Sequence, residues 1–146
     1  MTQIKQLIMS VALLLWAAIG FAAEIVYSEP AIIQQSSKDI VIYFNAAEGT
    51  AGLKGYTGDV YAHTGVITSE SNSDSDWKHA PSWGDNSAKY KLTMVSTDLW
   101  KLNVGDLKTY YSLNSGETVK KLAFVFRNAD GSKEGKASGG SDIFLN

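Results

Sequence analysis

The chain has 146 residues, and its 13 lysines and arginines against 15 aspartates and glutamates give a formal net charge of −2. This small acidic excess offers no basic surface to a phosphate backbone, so nucleic acid is not an expected partner. The absence of cysteine excludes a disulfide framework, a thiolate zinc site, a cysteine nucleophile and a lipoprotein anchor.

Residues 1–22 have the pattern of a secretory signal peptide. Lys5 supplies a short positive region, an apolar run extends from Leu7 to Phe21, and Gly20 and Ala22 are the small residues before the predicted cleavage point. The run is shorter than the roughly 20 residues that a membrane-spanning helix needs. We therefore expect an exported protein, periplasmic, at the cell surface or secreted, with no membrane span after cleavage. The mature domain comprises residues 23–146, a usual size for one domain.

Apolar and polar residues alternate through the mature part with the period of β-strands. The predicted strands, in chain order, are 32–34, 40–44, 60–64, 90–95, 99–104, 119–128 and 142–145. Pro30 marks the first as an edge strand, residues 69–76 form a polar surface loop, and 107–111 form one helical turn. Seven to eight short strands with a turn signal about every ten residues predict an all-β fold, an antiparallel β-sandwich.

The strand at 60–64 and the loop after it contain the residues best suited to binding a ligand. Because side chains two apart in a strand share a face, Val60, Ala62 and Thr64 are expected to face the core, and Tyr61 and His63 to face solvent. The loop that follows contains Trp77 and Trp83, with Lys78, Asp85 and Asn86 nearby.

A flat aromatic surface beside short polar side chains suits a sugar, which has an apolar C–H face and a rim of hydroxyls. The predicted binding residues are Tyr61, His63, Trp77, Trp83, Lys78, Asp85 and Asn86. The alternative is that the tryptophans fold back and anchor the loop to the edge of the sandwich, because an indole ring buries a large area when it packs.

No metal, cofactor or catalytic site is predicted. His63 and His79 do not stand at the spacing of a zinc motif. Residues 72–76 begin like a calcium-binding loop, but Trp77 replaces the glycine that such a loop requires. The acidic residues are scattered over loops instead of forming the carboxylate pair of a glycosidase, so we do not expect an enzyme.

Five segments carry a resemblance to a known family. They are Asp59–Gly65, Asp76–Lys78, Ser82–Gly84, Leu122–Ser132 and Gly140–Phe144. The chain resembles the β-sandwich modules of Bacteroidetes α-amylase-family and starch-utilisation proteins, and is similar to carbohydrate-binding module families 25 and 26.

The resemblance implies an immunoglobulin-like sandwich that binds starch or another α-glucan. It implicates His63 and Trp77 first, with Tyr61 and Trp83 next, and it implies a glycoside hydrolase domain or protein as an associate. A structural spacer or protein-docking domain remains the alternative, because sandwich folds serve many functions.

Overall fold

The computed structural model describes residues 23–146, and the predicted signal peptide at 1–22 lies outside them. The described part contains eight strands, one α-helix and one short 3-10 helix. The strands are β1 (Val26–Glu29), β2 (Ile40–Asn45), β3 (Val60–Thr68), β4 (Thr93–Ser96), β5 (Leu99–Gly105), β6 (Val119–Asn128), β7 (Glu134–Gly135) and β8 (Ile143–Leu145). The helices are the 3-10 turn Ala88–Tyr90 and α1 (Leu107–Tyr111). Within residues 23–146, no helix is long and apolar enough to cross a bilayer.

The strands form two antiparallel sheets. One has the order β1-β2-β5-β4, and in the other β3 pairs with β6, which pairs in turn with β7 and with β8. These orders match the two sheets of a constant-type immunoglobulin domain if β7 and β8 together take the place of its last strand. The prediction of an all-β, immunoglobulin-like sandwich is confirmed.

Alternation along the central strands fills the space between the sheets. Ile40, Ile42 and Phe44 of β2 are buried, and Phe44 stacks on Phe126 of β6 with ring centroids 4.0 Å apart. In β2, and from Leu122 to Phe126 in β6, every second residue is apolar and points inward, so the period-2 pattern supplies the centre of the core. Burial of apolar area at about 25 cal/mol per Å² is its main source of stability.

Two local predictions agree with the structure. The chain from Leu107 to Tyr111 forms α1, where the side chain of Asp106 caps the helix by accepting a hydrogen bond from the Thr109 amide at 2.8 Å. The strands predicted at 90–95 and 99–104 correspond to β4 and β5, which pair in an antiparallel hairpin.

The opening strand was predicted in the wrong place. It is β1, which pairs with β2 from Val26 opposite Phe44 to Glu29 opposite Val41. The predicted segment 32–34 is not a strand, and Ile32 is 80% exposed. Pro30 lacks the amide hydrogen that a ladder needs, so the strand ends before it.

The outer face of the β3–β6 sheet is covered, contrary to the expected polar surface. Eight of the nine residues of β3 are buried. The segment between β3 and β4 folds back over this face, and it is tied to the free edge of β3 by hydrogen bonds from the Lys78 amide to the Val66 carbonyl (2.8 Å) and from the Leu92 amide to the Val60 carbonyl (2.9 Å). This covering segment, residues 69–92, carries both predicted tryptophans.

Candidate functional site

The outer face of the β3–β6 sheet provides the floor of the candidate site. Three cross-strand pairs lie side by side there: Tyr61 with Arg127, His63 with Val125, and Gly65 with Ala123. Small residues stand at one end of this floor and large ones at the other. The covering segment therefore lies close to the sheet at Gly65 and is held further away at Arg127.

Trp77 lies over the small-residue end of the floor. A Cβ added to Gly65 would stand only 3.3 Å from the Trp77 Cβ, so glycine makes the close approach of this segment possible. The indole ring stacks on His63, with centroids 5.6 Å apart and planes inclined by 27°, and meets the edge of Phe144 on β8 at 6.4 Å. Trp77 is thus half-buried, with its position set by aromatic contacts.

Two polar interactions fix the Trp77 region: the first lies within the covering segment, and the second holds the segment against the sandwich. The ammonium of Lys78 pairs with Asp76 at 3.2 Å. Nε2 of His79 contacts Oε1 of Glu117 at 2.7 Å, and the same carboxylate accepts hydrogen bonds from the Thr68 hydroxyl (2.9 Å) and the Asn114 amide (3.0 Å).

Glu117 has no exposed side-chain surface. Burial alone would raise the pKa of its carboxyl, but the three hydrogen bonds outweigh burial and hold the pKa below its ordinary value. The carboxylate therefore stays ionised at neutral pH and anchors the start of the covering segment.

Trp83 lies over the other end of the floor and is 52% exposed. Its ring meets that of His63 edge-on, with centroids 5.0 Å apart and planes at 66°, and it lies 5.6 Å from the guanidinium carbon of Arg127. The turn at Gly131 adjoins it, since a Cβ built there would be 3.6 Å from the indole nitrogen. One large part of the Trp83 ring therefore remains open to solvent.

Asp85 and Asn86 are engaged with the protein. The carboxylate of Asp85 accepts hydrogen bonds from the amide and hydroxyl of Ser87, which lower its pKa. The Asp85 carbonyl and the Asn86 side-chain oxygen both accept hydrogen bonds from Arg127 at 2.8 Å. Both residues thus fix the loop that contains Trp83.

Together these side chains surround a shallow depression of about 350 Å³ on the sheet's outer face. The lining consists of His63, Ser75, Trp77, Ala80, Trp83, Val125, Lys136 and Asp142. Lys136 and Asp142 come from the chain on either side of the β7–β8 loop and add one charge of each sign to an otherwise aromatic surface.

His63 stands between the two tryptophans and is neutral at physiological pH. Burial, and secondarily the positive charge of Arg127, lower the pKa of its imidazole, while Asp142 acts in the opposite direction. Its Nδ1 is buried and has no hydrogen-bond partner among residues 23–146. The ring is therefore positioned chiefly by stacking and presents an apolar face.

Three of the seven predicted binding residues come together in the depression, namely His63, Trp77 and Trp83. The expected solvent exposure of Tyr61 is wrong. Its ring is 7% exposed and lies 5.4 Å from the guanidinium of Arg127, because the covering segment closes over that part of the sheet. Lys78, Asp85 and Asn86 lie outside the lining and make the intramolecular contacts described above.

Lys136 and Asp142 were not predicted as site residues, although Asp142 lies in the segment Gly140–Phe144. Only the pairing of β7 and β8 with the edge of β6 brings them to the site. In the described part of the chain, no three histidine, cysteine or acidic side chains cluster as metal ligands.

No protein-family model matches the chain, and no curated protein matches it significantly. The geometry of the depression is therefore the basis for a functional proposal.

Proposed function

We propose that the protein is a non-catalytic carbohydrate-binding module for starch or a related α-glucan, and that the depression at His63, Trp77 and Trp83 is its binding site. The observation that supports this most directly is the convergence of the two tryptophans, one on each side of a neutral histidine, at an open surface.

Aromatic rings in this arrangement suit the apolar face of a pyranose. Trp77 lies nearly parallel to His63, whereas Trp83 is inclined by 66° to it. A surface made of such inclined planes is curved, and a curved surface suits the bent path of an α-linked glucan better than the flat ribbon of a β-1,4-linked one. The half-exposed ring of Trp83 has no packing partner over its open part, which favours a ligand contact over a purely structural anchor.

The polar groups at the depression suit hydroxyl recognition. Lys136 donates and Asp142 accepts hydrogen bonds, so sugar hydroxyls have both kinds of partner within one site. Because the depression is shallow and leaves much of a ligand hydrated, we expect affinities in roughly the micromolar to millimolar range. In this proposal the module acts outside the cytoplasm, as the predicted signal peptide implies, beside a glycoside hydrolase that acts on the same polysaccharide.

Affinity electrophoresis tests the proposal. The purified protein is run through gels that contain amylopectin and, in parallel, through gels that contain a β-glucan. We expect retardation by amylopectin only, and we expect Trp77→Ala to abolish it because the variant removes the ring that stacks on His63.

Tyr27→Ala is the matched control. Tyr27 is a half-buried aromatic residue that stacks on Tyr43 on the outer face of the other sheet, at a centroid distance of 5.0 Å. This variant should migrate like the wild-type protein in amylopectin. Unretarded migration of the wild type in both gels would refute the proposal and favour the spacer or docking alternative, while loss of retardation in Tyr27→Ala alone would move the site to the opposite face.

A further inference from the structure

Arg127 is the largest side chain that the fold buries completely, with 1% of its surface exposed. It projects from β6 onto the outer face of the sheet, beneath the covering segment. The removal of a guanidinium from water is costly unless its donors find acceptors. The acceptors that surround Arg127 therefore show which parts of the structure its burial depends on.

The guanidinium joins two separate parts of the chain. From the covering segment, the Asp85 carbonyl and the Asn86 side-chain oxygen each accept a hydrogen bond at 2.8 Å. From the β6–β7 turn, the carbonyls of Asn128 and Ala129 accept at 3.1 and 3.4 Å. All four acceptors are neutral oxygens, so the planar fork of the guanidinium serves as a geometric connector between the two parts.

The same guanidinium also lies close to two aromatic rings. Its central carbon is 5.4 Å from the ring centroid of Tyr61, its cross-strand neighbour, and 5.6 Å from that of Trp83. At these distances a cation attracts the faces of both rings. The Trp83 ring is further confined by His63 on one side and by the Gly131 turn on another. Arg127 contacts both the ring of Trp83 and the loop that carries it.

We propose that Arg127 is a positioning residue for Trp83: its buried guanidinium holds residues 85–86 against the β6–β7 turn and thereby sets the angle at which Trp83 faces the depression. This inference rests on the proposed function insofar as Trp83 contacts glycan, but the placement of Trp83 can be measured without any ligand.

Two substitutions separate the fork of the guanidinium from its charge. Arg127→Met removes both, whereas Arg127→Lys keeps a cation but loses the separate Nη1 and Nη2 donors that reach the β6–β7 turn and the Asp85 carbonyl. We expect both variants to move the indole N–H resonance of Trp83 in the ligand-free protein and to increase its quenching by acrylamide. We expect amylopectin affinity to fall by about three- to tenfold, the effect of one misplaced aromatic contact.

The histidine titration of both variants provides a second readout. A loosening that exposes His63 would raise its pKa in either variant, whereas loss of the positive charge raises it in Arg127→Met alone. Because the charge of Arg127 lowers the pKa of His63, Arg127→Met should raise that pKa in an NMR titration, while Arg127→Lys should leave it closer to the wild-type value. Lys120→Met, which removes an exposed cation from the same strand, is the matched control and should change neither the Trp83 resonance nor the affinity.

Asn86→Ala covers the case in which Arg127→Met does not fold. This exposed side chain accepts from Arg127 and donates to the Ala129 carbonyl at 3.1 Å, so its removal loosens the same connection without emptying a core position. We expect the Trp83 resonance to shift in the same direction, by a smaller amount.

The outcomes distinguish this inference from the proposed function. An unchanged Trp83 resonance and unchanged quenching in folded Arg127→Lys or Arg127→Met, or in Asn86→Ala if the former do not fold, would overturn the positioning role. A wild-type protein that does not bind amylopectin would refute the proposed function, and a displaced Trp83 in the same variants would still establish the positioning role.

Discussion

Substitution of Trp83 by alanine should separate ligand binding from stability more clearly than other changes in the depression. The ring is 52% exposed, and a fully buried tryptophan removes about 200 Å² from water, so about 100 Å² of burial is lost. At about 25 cal/mol per Å² this corresponds to about 2.5 kcal/mol. The value is an upper bound, because the denatured chain also shields part of the ring.

Trp100→Phe provides a control of similar cost in the core. Trp100 is 3% exposed and lies in the β2–β5 sheet, where it packs inward opposite Phe44. Its replacement by a smaller ring leaves a cavity and should cost about 1–3 kcal/mol, as large-to-small core changes do. The two variants therefore lose comparable stability, but only Trp83→Ala changes the candidate site.

Urea unfolding and amylopectin affinity electrophoresis measure the two effects on the same samples. We expect both variants to unfold at lower urea concentrations than the wild type with unchanged m-values, and only Trp83→Ala to lose retardation in the gel. Wild-type binding by Trp83→Ala, or an equal loss of binding in Trp100→Phe, would refute the placement of Trp83 in the binding site.

Two further predictions concern the floor of the depression. Because the folded protein lowers the pKa of His63, the unfolded chain takes up its proton first as the pH falls below about 6.5. Stability should therefore decrease from pH 7.5 to pH 5 and level off below the pKa of His63 in the folded protein. In thermal melts, His63→Phe should reduce this dependence of stability on pH. An equal dependence in both proteins would contradict its assignment to His63. Gly65→Val should weaken amylopectin binding while the core stays folded, because an added Cβ stands 3.0 Å from the Ala80 Cβ and 3.3 Å from the Trp77 Cβ. Ile67→Val on the same strand is its control, and an unshifted Trp77 indole resonance in Gly65→Val would count against the close approach.

The sandwich could be predicted because its inner faces follow a simple rule. The largest apolar side chains of β2 and β6 each lie on one face of their strand. They are Ile42 and Phe44 in β2, and Leu122, Phe124 and Phe126 in β6, so the core-facing side of each strand could be assigned from the sequence alone. The helical turn at 107–111 was also predictable, since an N-capping aspartate precedes it. In each case a local pattern decides the structure.

The outer face could not be predicted in the same way, because a distant segment covers it. Tyr61 was expected in solvent, yet Tyr61 and its neighbour Arg127 are both buried beneath residues 69–92. Val125, on the same face of β6, was a sequence signal of this covering. A strand that is apolar on both faces is usually buried on both. Lys136 and Asp142 reach the depression because the short strands β7 and β8 pair with β6. A single sequence specifies the pairing of such short strands weakly.

The ties between the covering segment and β3 have a consequence for solubility. β3 is the outermost strand on one side of its sheet, and hydrogen bonds to Val66 and Val60 occupy part of its free edge. An open strand edge is a template on which a second molecule can add its own strand, and natural sheet proteins commonly block such edges. The segment that presents the tryptophans thus also protects the domain from edge-to-edge aggregation. A variant that shortened residues 69–92 to remove the site would therefore be expected to self-associate as well. The depression is better altered by single substitutions that leave these backbone hydrogen bonds in place.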